Sequence, residues 1–162
     1  MQNTCCVEPK LSGVKLKFKI YNQETKMSTL KKLNVTEFLF KHLGQYGDKG
    51  SDIEKAVDYA IKETTSFGGF VLVGYDKNEN VVGIVVLNRT GMSDYIPKNI
   101  LVYIAVDKTQ RGKGYGKDLL NKVIDLTDGD IALHVEKDNP ARFLYEKVGF
   151  TNPYLEMRLK KK

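Results

Sequence analysis

Cysteine is almost missing from this chain: there are 2 in 162 residues, and they are neighbours, Cys5 and Cys6. An adjacent pair closes no useful loop and leaves a zinc site without its second pair of ligands, so neither a disulfide framework nor a metal site is expected. Long apolar runs are lacking too. No stretch approaches the roughly 18 residues that a membrane helix needs, and the opening MQNTCCVEPK has no apolar core of a secretory signal. These absences point to a cytoplasmic protein without membrane contact. Repeats, low-complexity tracts and a dividing linker are also missing, so residues 1–162 are expected to form a single domain, with 1–12 a mobile N-terminus.

Positive charge is in excess. The net charge is +6, part of it in the terminal Lys160, Lys161 and Lys162. That balance suits a polyanionic ligand. Nucleic acid is one candidate, but the lysines are spread along the chain and no recognition motif accompanies them, so it is the weakest class.

Strands and helices alternate along the chain. Val14–Ile20 alternates apolar and lysine positions in strict period two and reads as a strand with one buried face. Residues 27–45 hold one or two short helices. Ser51-Asp52-Ile53-Glu54 reads as a capping box opening a helix with Ile53, Ala56, Val57, Ala60 and Ile61 on one stripe. Phe70–Tyr75 and Val81–Leu87, joined by the polar turn Asp76–Asn80, read as a hairpin. Ile100–Val106 is a central strand. A Gly-rich loop follows it, then a helix carrying Leu119, Leu120, Val123, Ile124 and Leu126, then a strand at Ile131–Val135. Asn139 can cap a last helix begun by Pro140, striped by Ala141, Leu144, Tyr145 and Val148, and ended by Gly149. Tyr154–Leu159 reads as a closing strand. The order predicts an α+β fold in three α/β/α layers, a mixed and largely antiparallel sheet of about six or seven strands with helices on both faces.

The stretch with most chemistry in it is strand, then Arg111-Gly112-Lys113-Gly114-Tyr115-Gly116, then helix. A helix start offers unpaired N–H groups and the positive end of the helix dipole, which attract phosphate. Glycines at alternate positions let the backbone bend and approach an anion closely. Arg111, Lys113 and Lys117 add positive charge. A Walker A loop fails, because Arg111 stands five before Gly116 and Asp118 follows Lys117. The dinucleotide fingerprint fails as well, since Lys117 occupies the place of its third glycine. A plain strand-to-helix turn would explain the loop alone.

Here the sequence resembles the GCN5-related N-acetyltransferase family, whose acetyl-CoA signature is Q/R-x-x-G-x-G/A after a central strand. Arg111, Gly114 and Gly116 fill its defined places. Downstream, Leu133-His134-Val135, Asn139-Pro140-Ala141 and Leu144-Tyr145-Glu146-Lys147-Val148-Gly149-Phe150 match a second family segment. The resemblance is strong over residues 100–151, while 1–66 match only in element order. It implies the acyl-CoA N-acyltransferase fold and acetyl-CoA as co-substrate. It also implies a central strand that splays near Ile104, Ala105 and Val106 to pair with the pantetheine arm. The pyrophosphate would lie on the loop Arg111, Gly112, Lys113, Gly114, Tyr115 and Gly116, with Lys117 and Asn139 nearby. The acetyl group would pass directly to a primary amine on a small molecule or peptide, without an acyl-enzyme.

Two residues are candidates for proton transfer. Tyr145 matches the family tyrosine that protonates the departing thiolate, and its phenol is protonated at neutral pH; its place on an apolar stripe is equally that of a packing residue. His134 stands where the ribosomal-protein acetyltransferases of this family carry a glutamate base, and an imidazole could serve there. From Val135 to Tyr145 the chain is a residue shorter than that group's pattern, which leaves a structural role open. Tyr103 and Glu136 are weaker alternatives for the base. His42 has no motif around it and reads as a surface residue, and Asp94 and Tyr95 could greet a cationic acceptor. A CoA-binding or sensing module without turnover is the rival reading, and a homodimer is the default association.

Overall fold

A computed structural model describes residues 15–162. Cys5, Cys6, the expected mobile stretch 1–12 and the start of the strand expected from Val14 lie outside the described residues. The elements run β1 (Lys17–Tyr21), α1 (Thr29–Leu43), a 3-10 turn (Gly44–Tyr46), α2 (Gly50–Ile61), β2 (Gly69–Tyr75) and β3 (Val81–Arg89). There follow β4 (Asn99–Val106), a second 3-10 turn (Lys108–Gln110), α3 (Tyr115–Leu126), β5 (Ile131–Leu133) and α4 (Ala141–Lys147). The sheet order is β1-β2-β3-β4-β5. The first three pairings are antiparallel and the last, β4 with β5, is parallel. No helix among the described residues is long and apolar enough to cross a membrane.

Two apolar layers flank the sheet. One packs Val35 and Leu39 of α1 and Ile53, Val57, Ala60 and Ile61 of α2 against Val71, Val73, Ile84 and Val86. The other packs Tyr115, Leu119, Leu120 and Val123 of α3 and Tyr145 of α4 against Phe70, Leu72, Val85 and Leu87. The runs of β2 and β3 are apolar on both faces because both faces are covered. Their hairpin turns on Asp76, whose Oδ1 accepts from the N–H groups of Asn78 (2.8 Å) and Asn80 (2.9 Å).

Three expectations need correction. Among the described residues the sheet has five strands rather than six or seven. Tyr154–Leu159 does not pair, and Tyr154, Leu155, Met157 and Leu159 stay exposed. Period-two alternation makes a segment able to pair, but pairing needs an edge, and β5 offers only Ile131–Leu133, shorter than the expected 131–135. Ser51 does not cap α2. The carbonyl of Lys49 already accepts from Asp52 and Ile53, each at 3.0 Å, so the helix begins at Gly50 and Ser51 falls inside its first turn. Ile124 and Leu126 fall at the open end of the α3 stripe and stay partly exposed.

The position of α3 is set by two glycines facing each other across β2 and β3, Gly74 and Gly83. A Cβ on Gly83 would come within 2.4 Å of Leu119 Cδ1 and 3.1 Å of the Ala105 carbonyl oxygen. The missing side chains let the fully buried Leu119 seat α3 directly on the sheet. Gly83→Ala is therefore expected to lower the unfolding free energy by about 1–3 kcal/mol through overpacking, measured by urea denaturation. Gly50→Ala, whose added methyl would meet nothing within 4 Å, should leave stability unchanged or raise it. Equal losses from the two would contradict this packing.

Candidate active site

The site is built on β4. At its start the strand is pinned, since buried Asn99 donates through Nδ2 to the carbonyls of Asp128 (2.7 Å) and Asp130 (3.2 Å), just before β5. Pairing with β5 then lasts only from Asn99–Ile131 to Leu101–Leu133. The other edge of β4 stays paired with β3 as far as Val106–Gly83. Residues 102–106 thus have one neighbouring strand and one open edge. The Asp107 N–H donates to the Val82 carbonyl on the β3 side (2.9 Å). Since successive backbone groups along a strand point to opposite sides, Val106 and Ile104 direct theirs to the open edge, while Ala105 faces β3.

A register shift falls at the same place. Leu101 pairs with Leu87 and Tyr103 with Val86, so Val102 is an extra residue. This bulge reverses the side-chain parity: Leu101 packs with the α3 layer, Tyr103 and Ala105 with the α1–α2 layer. Tyr103 is 8% exposed, and its hydroxyl donates to Asp48 Oδ2 at 2.6 Å. Burial first, then the Asp48 carboxylate, push its phenol well above the ordinary value. Asp48 lies just before α2, and nearby Tyr46 donates to the Asp138 carbonyl (3.2 Å), joining the α1–α2 and β5–α4 connections beside the opening.

The Gly-rich loop lies beyond the end of β4. Gly112 and Gly114 have φ of +79° and +84°, which only glycine adopts readily, and nothing lies within 4 Å of where their Cβ atoms would be. Gly116 is there for contact instead, as a Cβ would meet Leu144 of α4 at 2.9 Å. Gly114 precedes α3, no side chain caps the helix, and its first internal bond is Asp118 N–H to the Gly114 carbonyl. The N–H groups of Tyr115, Gly116 and Lys117 are the orphan donors of that end. Tyr115 is buried in the α3 layer, so its contribution to the loop is its backbone. Lys113 Nζ donates to Gln110 Oε1 (2.7 Å), and Lys117 is exposed. Arg111 uses one Nη to reach the His42 carbonyl at the end of α1 (2.7 Å).

Tyr145 sits on α4, 8% exposed, and desolvation raises its pKa to about 12. Its placement follows from the sequence around it. Asn139 Oδ1 accepts from the Ala141 N–H (2.9 Å) and caps the start of the helix. At the other end Gly149 takes φ +109°. The N–H of Gly149 reaches the Glu146 carbonyl (3.1 Å) and that of Phe150 reaches the Tyr145 carbonyl (3.0 Å). That is a Schellman turn, and its usual apolar contact is Phe150 edge-on to Tyr145, with centroids 5.9 Å apart. The string from Leu144 to Phe150 therefore fixes where this phenol lies.

His134 follows β5 and is exposed; its Nδ1 lies 3.3 Å from Arg158 Nη2. Leu133 and Val135 pack with the α3 layer, so His134 belongs to the opposite face, the one that also carries Tyr103. Glu136 is exposed and supplies its carbonyl to the Asn139 N–H. Asp94 and Tyr95 belong to the connection entering the pinned end of β4. Both are exposed there, and at about 3.3 Å per residue Asn99 lies about 17 Å along the strand from Ile104. His42 is not on the surface: it is 5% exposed and bonded to the loop after β4. The sequence carried a signal for it, because His42 completes the stripe of Val35 and Leu39. Asp48 and the bulge at Val102 had no signal in the sequence pattern.

Residues 33–150 match the family described as "Acetyltransferase (GNAT) family". The chain belongs to the GNAT family. Over 78 residues it is 35% identical to the [ribosomal protein bS18]-alanine N-acetyltransferase of Haemophilus influenzae, a match covering 46% of this chain and 50% of that protein. The chain thus spans about half the length of that relative. The ribosomal-protein-alanine N-acetyltransferase of Brucella melitensis has a similar structure, with TM-score 0.62, 15% identity, and coverage of 91% of this chain and 100% of that one. A transcriptional regulator of Bacillus halodurans is equally similar, with TM-score 0.64, 15% identity, and coverage of 91% and 100%. At such identities these two similarities speak for the fold alone.

In this GNAT chain the raised pKa of Tyr145 is open to measurement. The unfolded phenol ionises near pH 10 and the folded one near 12, so the stability drawn from the neutral form is full below pH 10 and falls as pH rises towards 12. Alkaline titration followed by tyrosinate absorbance should show a late-ionising phenol that Tyr145→Phe removes. A variant that loses only an early-ionising phenol would contradict the buried placement.

Proposed function

We propose that this chain is an N-acetyltransferase that carries the acetyl group of acetyl-CoA directly to a primary amine. The single observation behind this reading is the juxtaposition of the open β4 edge at Ile104–Val106 with the uncapped start of α3. One offers hydrogen bonds to an amide-bearing chain and the other attracts phosphate, and acetyl-CoA has both parts. The space around Gly112 and Gly114 fits a diphosphate approached by backbone. In this reading Ile104 and Val106 pair with the pantetheine amides, Ala105 keeps the strand on β3, and Val106 N–H polarises the thioester carbonyl. The loop Arg111–Gly116, with Lys113 and Lys117, holds the pyrophosphate. Asn139 acts by capping the helix that carries Tyr145.

The amine nitrogen attacks the thioester carbon, the carbon–sulfur bond breaks, and the thiolate takes the Tyr145 proton. The proton lost by the amine goes to His134, to be released to solvent. The opposite sheet faces of the two residues suit donor and acceptor sides of one opening. The acceptor is a primary amine of a small molecule, peptide or protein; the bS18-alanine acetyltransferase it resembles makes a protein N-terminal amine a natural first test. A second reading has one observation in its favour: the Arg158 guanidinium lies on His134 Nδ1, occupying the lone pair a base would use. On that reading the chain binds CoA and turns over poorly.

Thiol release from acetyl-CoA over a panel of amines and alanine-terminated peptides separates the two. Turnover that falls about 10²–10⁴-fold in kcat in Tyr145→Phe, with little change in KM for acetyl-CoA, is the expected result. His134→Ala should lower kcat with little change in KM for acetyl-CoA. Tight CoA binding with no acceptor turned over would favour the binding module, and no CoA binding at all would end both readings.

A further inference from the structure

The ring and carbonyl of His42 turn towards residues 107–111, which lead from β4 into the Gly-rich loop. Its Nδ1 accepts from the Lys108 N–H at 3.1 Å, and its carbonyl accepts from Arg111 Nη2 at 2.7 Å. Its Nε2 is 3.8 Å from Asp107 Oδ2, too long for a hydrogen bond but close enough for attraction. The ring leans on Phe38, with centroids 4.4 Å apart, and is 5% exposed. A backbone N–H can only donate, so Nδ1 must present a lone pair, and the ring is neutral with its proton on Nε2.

We propose that His42 is a positioning residue for the acyl-CoA loop, its neutral imidazole holding residues 107–111 against the end of α1 so that the loop keeps its binding shape. This rests on the acyl-CoA reading above. Two donors from the loop, one backbone and one guanidinium, converge on one residue of α1. The helix end supplies the orphan carbonyl and the imidazole supplies the second acceptor. The same residue leads into the turn Gly44–Tyr46 and then Asp48, which bonds Tyr103, so the clamp ties the cofactor side to the wall facing the acceptor.

The chemistry of the ring makes the clamp sensitive to acid. Protonated His42 would set a second donor against the Lys108 N–H and break that bond. The charged groups around it are Asp107, which favours protonation, and Lys41, Lys108 and Arg111, which oppose it. Burial, the largest influence, also opposes it, so His42 titrates below its ordinary 6.5. The sign follows: the contribution is complete above pH 6.5 and is lost as pH falls through the lower folded value.

Two measurements test this. Without any ligand, hydrogen exchange should give the Lys108 amide a protection factor that drops at least tenfold on acidification, while β2 and β3 amides hold theirs. In His42→Asn, whose Oδ1 replaces Nδ1 and does not titrate, protection should persist and stay flat with pH. In His42→Leu it should be lost at every pH. In steady-state kinetics the wild-type KM for acetyl-CoA should rise about tenfold as pH falls from 7.5 through the lowered folded value of His42, read against His42→Asn, which shares every other titrating group. His42→Asn should keep the neutral-pH KM with a flat profile, and His42→Leu should have the high KM throughout. If His42→Leu does not fold, the pH series in the wild type and His42→Asn decides alone. A Lys108 amide equally protected in folded His42→Leu, or a His42→Asn profile that follows the wild type, overturns the proposal. A wild type that neither binds acetyl-CoA nor releases thiol instead sinks the acyl-CoA reading, while the amide still reports whether the clamp exists.

Discussion

Pairing between β4 and β5 stops after Leu101 and Leu133, and the site depends on that early stop. Had β5 run on beside β4, the backbone groups of Ile104 and Val106 would be consumed in a ladder. As it is, Asn99 holds the two strands together at one end, and β3 stays paired with β4 on both sides of the bulge as far as Val106. The bulge at Val102 comes where support from β5 ends, and it turns Tyr103 towards Asp48. A strand with one firm neighbour and one departing neighbour is rigid and open at once, as a binding edge must be.

The other parts of the site are placed against this edge by close packing. Gly74 and Gly83 admit Leu119, which brings α3 down on the sheet so that its N-terminus lies beyond the end of β4. Gly116 admits Leu144, which brings α4 against the start of α3. The Schellman turn and Phe150 then fix Tyr145. From the opposite face, His42 and Arg111 tie the loop to α1. The glycines of the loop thus do different work: Gly112 and Gly114 for positive φ, Gly116 for contact.

Much of this was legible in the sequence because it is local. The hairpin is written in the turn at Asp76, and α4 in Asn139, Gly149 and the stripe between them. The loop is written in its glycines, and the GNAT resemblance follows from the strings around it. Most of what escaped depends on partners distant in sequence, with one local exception. The capping box at Ser51 failed because helix bonding began earlier. Tyr154–Leu159 has the alternation of a strand but no sufficient edge to pair with. His42 shows the limit well: its buried place was in the stripe of α1, but its bonds to Lys108 and Arg111 cross more than sixty residues of chain. No local pattern records such a bond.

The central claim is that the open edge of β4 and the start of α3 together bind one acyl-CoA molecule. Backbone amide shifts of uniformly labelled protein, followed during titration with acetyl-CoA, test it most directly. The account predicts that the largest changes fall on residues 103–106 and 111–117 and saturate together, with residues 91–99 at the pinned end of β4 little affected. Saturable changes centred on 91–99, or none in 103–106, would contradict it.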